Sequence, residues 1–188
     1  MLSTASIVAS LLPAHSVLAN PVARASCNPS IAGQGISLGS GAFEVGYTGS
    51  VAGAAIVTEA LTTSAEYIVA TSNGGLQFID FNESGASSQL YQTNSDGAVS
   101  LQTLVTPENG TQDWSLVCSI CNDPSTVGSG GAIATGCNVI SSASGKCLQI
   151  GSAVGAAVTV ETCTDLGDGA QVFVVTWAHG PTRLSRST

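Results

Sequence analysis

The chain has 188 residues, of which 44 % are hydrophobic and only 9 % charged, with 22 Gly. Residues 26–177 hold all twelve Asp and Glu but Lys146 as their only basic side chain, a net charge of −11. A surface of that sign repels phosphate backbones and anionic lipid heads, which excludes nucleic-acid binding and membrane binding through a basic patch.

Residues 1–25 read as a signal peptide. Ile7 to Leu12 and Val17-Leu18-Ala19 form an apolar segment, followed by small residues at plausible cleavage positions. The segment is too short to span a bilayer, and no later stretch reaches the ~18 apolar residues that a membrane helix needs. The alternative is an N-terminal tail. The expected domain is then 26–177, and the polar, Pro-containing stretch 178–188 reads as a disordered tail.

From Cys27 onward, apolar and polar residues alternate with period two, punctuated by Gly, Ser and Asn. Strands are expected at 35–38, 42–45, 55–58, 66–70, 76–80, 89–92, 99–104, 114–118, 132–135, 139–141, 147–150, 157–161 and 172–176. Turn signals such as Ser95-Asp96-Gly97 and Glu108-Asn109-Gly110 separate them. No segment keeps helical apolar spacing over three turns without Gly or Pro. The class is all-β, a barrel or sandwich of about twelve short strands.

A weak repeat runs through these strands. Three segments bring a large aromatic after an acidic or Gln-containing turn: Tyr67, Trp114 and Phe173, spaced by 47 and 59 residues. Each follows a short strand of similar form, Gly35-Ile36-Ser37-Leu38, Gly75-Leu76-Gln77-Phe78 and Cys147-Leu148-Gln149-Ile150. Three copies of about fifty residues suggest a β-trefoil, with the three aromatics as core residues.

The stretch from Lys146 to Thr176 resembles one repeat of the ricin-B-type lectins. It has C-L-x-[VI] at Cys147 to Ile150, a second Cys at 163, and Gln171-Val172-Phe173 where the family has Q-x-W. The resemblance implies a β-trefoil, a disulfide between Cys147 and Cys163, and sugar binding. In that family an Asp just after C-L accepts from sugar hydroxyls and a ring on the next hairpin stacks on the sugar. Here Gln149 stands at the Asp position, with Gln77 and Ser37 read as its counterparts. No aromatic lies between Ile150 and Phe173. The resemblance therefore points to repeat two, where Asp80, Phe81 and Tyr91 offer a carboxylate and rings, with Gln149 as a further candidate.

For the other four cysteines, three connectivities are open. The expected pairs are Cys121 with Cys137 and Cys27 with Cys118, stapling the N-terminal strand to the close of repeat two. Cys118-Ser119-Ile120-Cys121 has redox-motif and zinc half-site spacing. It enters a Pro/Gly loop rather than a helix, and the histidines, His15 and His179, stand near the two ends. Without a histidine in 26–177, the usual base of a Ser or Cys hydrolase is missing, and there is no G-x-S-x-G elbow. Glu161, Asp165 and Asp168 could serve as a carboxylate pair or hold calcium, but T-D-L-G-D-G is ordinary turn chemistry. No cofactor, no metal and no catalysis are expected. Asn82-Glu83-Ser84 and Asn109-Gly110-Thr111 are glycosylation sequons. The expected function is secreted, non-catalytic carbohydrate binding with glycans or glycoproteins as partners. The alternative is a secreted trefoil effector or inhibitor that binds protein.

Overall fold

The computed structural model describes residues 26–62, 67–72, 75–80, 89–164 and 169–177. The expected signal peptide and tail, with Phe81, Asn82, Asp165 and Asp168, lie outside the described residues. Within them the chain is all-β. Twelve strands follow in order: β1 (Gly35–Ser40), β2 (Phe43–Tyr47), β3 (Ile56–Ala60), β4 (Tyr67–Thr71), β5 (Leu76–Asp80), β6 (Gln89–Thr93), β7 (Val99–Thr103), β8 (Trp114–Cys121), β9 (Ala132–Ser141), β10 (Cys147–Gln149), β11 (Thr159–Glu161) and β12 (Phe173–Trp177). Single 3-10 turns lie at Pro124–Thr126 and Gly169–Gln171.

The two strands expected at 132–135 and 139–141 are one. Gly136 takes φ 63°, which only glycine adopts without strain, so the chain kinks there and continues. Cys137 and Ala134 of β9 oppose Phe173 and Val175 of β12, three residues against two, which is a β-bulge.

Six strands pair in a cycle. β1 pairs with β4, β4 with β5, β5 with β8, β8 with β9, β9 with β12, and β12 returns to β1, all antiparallel. The other six form three hairpins, β2–β3, β6–β7 and β10–β11. Isolated bridges join the hairpins to one another: Ala55 to Ser100, Val57 to Ala157, and Ala98 to Thr159. Ring closure pairs backbone groups that an open sheet would leave bare at its edges.

Inside the ring and hairpins lies one core. Tyr67, Trp114 and Phe173, which open β4, β8 and β12, are each fully buried. Tyr67, Phe78 and Tyr91 pack with centroids 5.0–5.9 Å apart, and Trp114 lies 6.3 Å from Phe78. Such contacts contribute about 0.5–1.5 kcal/mol each beyond the area buried. The polar ends find partners: Tyr67 Oη donates to the Val45 carbonyl at 3.1 Å, and Trp114 Nε1 to that of Tyr91 at 3.1 Å.

Cys147 is bonded to Cys163. The other pairs differ from expectation: Cys27 is bonded to Cys121, and Cys118 to Cys137. Register explains the difference. Directly opposed residues on antiparallel strands project to one face. Cys118 opposes Cys137 across β8–β9 and Cys27 on its other side. It takes Cys137, both being fully buried, and Cys27 is left for Cys121. Cys121 opposes Ala134, three residues from Cys137, so the expected 121–137 bond does not form.

Candidate functional site

The three hairpins share one layout, and it corrects the sequence alignment. Val45, Tyr91 and Leu148 are buried and oppose the buried Thr58, Leu101 and Val160. Cys147-Leu148-Gln149 is therefore the first strand of a hairpin, the one that also pairs with the ring, matching β2 and β6. Ser37 and Gln77 lie on ring strands β1 and β5 and are not its counterparts. Gly46 and Gln92 occupy the place of Gln149.

The exit of each hairpin is held by a side chain. Gln112 and Gln171 stand two residues before Trp114 and Phe173. Gln112 Oε1 accepts from the Val105 N–H at 3.0 Å while its Nε2 donates to the Thr103 carbonyl at 2.8 Å. Gln171 repeats this on Thr164 N–H at 2.9 Å and the Thr162 carbonyl at 3.1 Å. Two residues before Tyr67 the sequence has Ala65. In the first unit the fully buried Glu44 reaches across instead, its Oε1 accepting from Thr62 N–H at 2.8 Å and its Oε2 from the Ser37 hydroxyl at 2.6 Å.

Most of the residues expected to bind sugar are placed elsewhere. Tyr91 is fully buried, its ring packed on Tyr67 and Phe78, so it presents no face to a ligand. Asp80 is also closed off from solvent, opposite Tyr67 at the end of β5. Both belong to the core because β5 and β6 turn those positions inward. Phe81 lies outside the described residues. Gln149 is half-buried, and its Oε1 accepts from Gln171 Nε2 at 3.0 Å. Of the described residues among them, Asp80 and Tyr91 are thus buried in the core and only Gln149 reaches the surface in part. Asn109 is exposed, its Oδ1 accepting from Thr111 N–H at 3.1 Å and the Thr111 hydroxyl at 2.6 Å. Glu161 is exposed and accepts from the Thr159 hydroxyl.

A cleft of about 470 Å³ opens instead between the first hairpin and the turn of the third. Tyr47, Thr48, Glu59, Thr62 and Val154 line it. Backbone bonds from Thr58 N–H to the Ala156 carbonyl and from Gly155 N–H to the Thr58 carbonyl, both 2.8 Å, fix its two walls. The half-buried Glu59 lies over Gly46: a Cβ at Gly46 would meet its Cδ at 2.3 Å and Oε1 at 2.6 Å. Among the described residues the Glu59 carboxylate has no hydrogen-bond or ion-pair partner. Val154, 64 % exposed, supplies an apolar wall. The strand expected at 42–45 continues through Gly46, and a glycine within a strand marks a close approach. A second, more apolar pocket of about 330 Å³ lies by Phe43, Ile150 and Ala170. Among the described residues no group of three or more His, Cys, Asp or Glu is placed to hold a metal, and no helix is long and apolar enough to cross a membrane.

No family model and no curated protein matches the chain. Among solved structures it is similar to the lysenin pore, with a TM-score of 0.55 at 10 % identity over 81 % of this chain. It is likewise similar to lysenin in complex with phosphocholine, with a TM-score of 0.56 at 9 % identity over 83 %. The chain spans about half of either protein, 48 % in both cases. At such identity the likeness is one of fold.

Proposed function

We propose that the chain is a secreted, non-catalytic β-trefoil that binds carbohydrate in the cleft of its first hairpin. The ring of six strands with three mutually bridged hairpins supports the trefoil reading, as four strands per unit recur three times. It also keeps the ricin-B-type resemblance in play, as a diverged member. Three disulfides and the exposed Asn109 sequon support an oxidising, extracellular setting.

The observation that carries the function is the Glu59 carboxylate, held over Gly46 and free of protein partners among the described residues. A carboxylate accepts strongly from paired sugar hydroxyls. Tyr47 and Val154 supply surface for the apolar face of a pyranose. In this reading the first unit has moved the carboxylate from the strand carrying Gly46 to the facing strand.

The test is a glycan array with disulfide-intact protein, followed by calorimetry on any hit with Tyr47→Ala. Binding weakened by that substitution supports the reading. Binding to no glycan at millimolar sugar sinks it. Phosphocholine is included because lysenin has been solved with it. Binding of phosphocholine in place of every glycan would change the ligand class, and capture of a protein alone would favour the effector or inhibitor alternative.

A further inference from the structure

Resting on the reading of the cleft as a sugar site, we propose that its ligand carries a free amine: a deacetylated amino sugar, whose ammonium group meets the Glu59 carboxylate.

Three observations carry this. First, Glu59 is the only ionisable carboxylate or base among the residues lining the cleft, and it has neither cation nor hydrogen-bond donor among the described residues. A half-buried carboxylate without a partner has lost part of its hydration and regained nothing from the protein. An ammonium group restores both charge and hydrogen bonds, and charge-assisted bonds are roughly twice as strong as neutral ones. Second, residues 26–177 hold twelve carboxylates against Lys146, and Lys146 does not line the cleft. That field raises the local concentration of cations and repels uronic or sialic acids. Third, Gly46 serves the carboxylate's position. Its φ does not lie in the left-handed region, so its lack of a side chain is a matter of space. Any Cβ there would push the carboxylate off the strand.

The specificity follows. Acetylating the amine removes the charge and adds bulk, so the N-acetylated form of one oligosaccharide should bind more weakly than the deacetylated form. The hydroxyls, common to both, contribute equally to each.

The experiment is calorimetry on the full, disulfide-intact chain with a glucosamine oligomer and its N-acetylated counterpart, at pH 6 and again at about pH 9, above the usual range of such amines. At pH 6 we expect the glucosamine oligomer to bind at least about tenfold more tightly. At the higher pH the preference should fall towards unity. Glu59→Gln should bring the ratio to about one at pH 6, and so should Gly46→Ala, which keeps the carboxylate but displaces it. Two variants guard against a folding defect in either, with circular dichroism as the check. Equal binding of both oligomers by the unaltered protein overturns the proposal. So does a preference that survives both substitutions, or binding confined to neutral or acidic glycans. In these cases the carbohydrate-binding reading still stands, whereas binding to no glycan removes that reading itself.

Discussion

The carboxylate of Glu44 and the backbone N–H of Thr62 meet at 2.8 Å, at the place where the other two units use a glutamine. Glu44 also receives the hydroxyls of Thr62 and Ser37. Replacing Glu44 by Ala would leave those donors without their acceptor. The expected loss is about 3 kcal/mol or more by urea denaturation, since hydrogen bonds to charged groups are worth roughly 1.5–3 kcal/mol each. Glu44→Gln keeps one acceptor oxygen and should cost less than half of that. Equal losses for the two variants would show that the acceptor is not what matters.

Gln112→Ala and Gln171→Ala should behave alike, because the two side chains bind the same pair of backbone positions in their own units. Each should cost about 2 kcal/mol, the sum of two part-buried hydrogen bonds to the backbone at about 1 kcal/mol each. Gln171→Ala should additionally free Gln149, which crosslinks to it at 3.0 Å. A loss confined to one of the two would break the equivalence.

Gly75 and Gly46 make a contrast in alanine substitution. At Gly75 an added Cβ would meet the Trp114 carbonyl oxygen at 2.5 Å, and backbone cannot step aside. Gly75→Ala should cost roughly 2–4 kcal/mol by denaturation. At Gly46 the obstacle is the end of a flexible glutamate, so Gly46→Ala should change stability by less than about 1 kcal/mol. Its effect belongs to binding.

Asp123 caps the 3-10 turn at Pro124–Thr126. Its Oδ1 accepts from the Ser125 hydroxyl at 2.8 Å and from the Ser125 N–H at 2.9 Å. These bonds, the hydroxyl first, hold its pKa below the ordinary value of 3.8. A lowered pKa means that the cap is fully formed above that ordinary value and is lost as the pH falls through the folded one. Titration by NMR should place Asp123 below 3.8, and Ser125→Ala should move it back upward. A midpoint unchanged by Ser125→Ala would remove the hydroxyl as the cause.

Peptide mapping without reduction should recover Cys27 linked to Cys121 and Cys118 linked to Cys137. Converting both Cys27 and Cys121 to Ser should cost up to about 4–5 kcal/mol in the chain-entropy model, because their loop approaches a hundred residues. The shorter Cys147–Cys163 loop should cost about 3 kcal/mol. A map containing Cys121 linked to Cys137 would contradict the register of β8 and β9.

The strands were readable because alternation is local: Val, Ile and Tyr every second residue mark a half-buried strand wherever it ends up. The roles of Tyr67, Trp114 and Phe173 were readable for the same reason, each opening a strand after a turn. What failed depended on partners distant in sequence. Tyr91 looks like a binding ring until its strand is packed on Tyr67 and Phe78. Gln77 looks like Gln149 until one is seen on the ring and the other on a hairpin. Cys118 has two cysteines beside it, one on each side, and only the register tells which it bonds. The Glu59 cleft needs the third hairpin to supply Val154 and Gly155, about ninety-five residues on.

The pairing of β1 with β12 sets Ile36 against Trp177 and Leu38 against Val175. Its consequence concerns the order of events as the chain emerges during synthesis. No shorter length of it can close the ring: until Phe173 to Trp177 are available, β1 and β9 each carry a bare edge able to recruit another chain. Closure spans nearly the whole domain, which makes folding slow and late rather than progressive. Cys121 precedes that strand in the chain, so a Cys27–Cys121 bond formed while the last strand is still missing would hold the first two thirds together and shorten the search that remains.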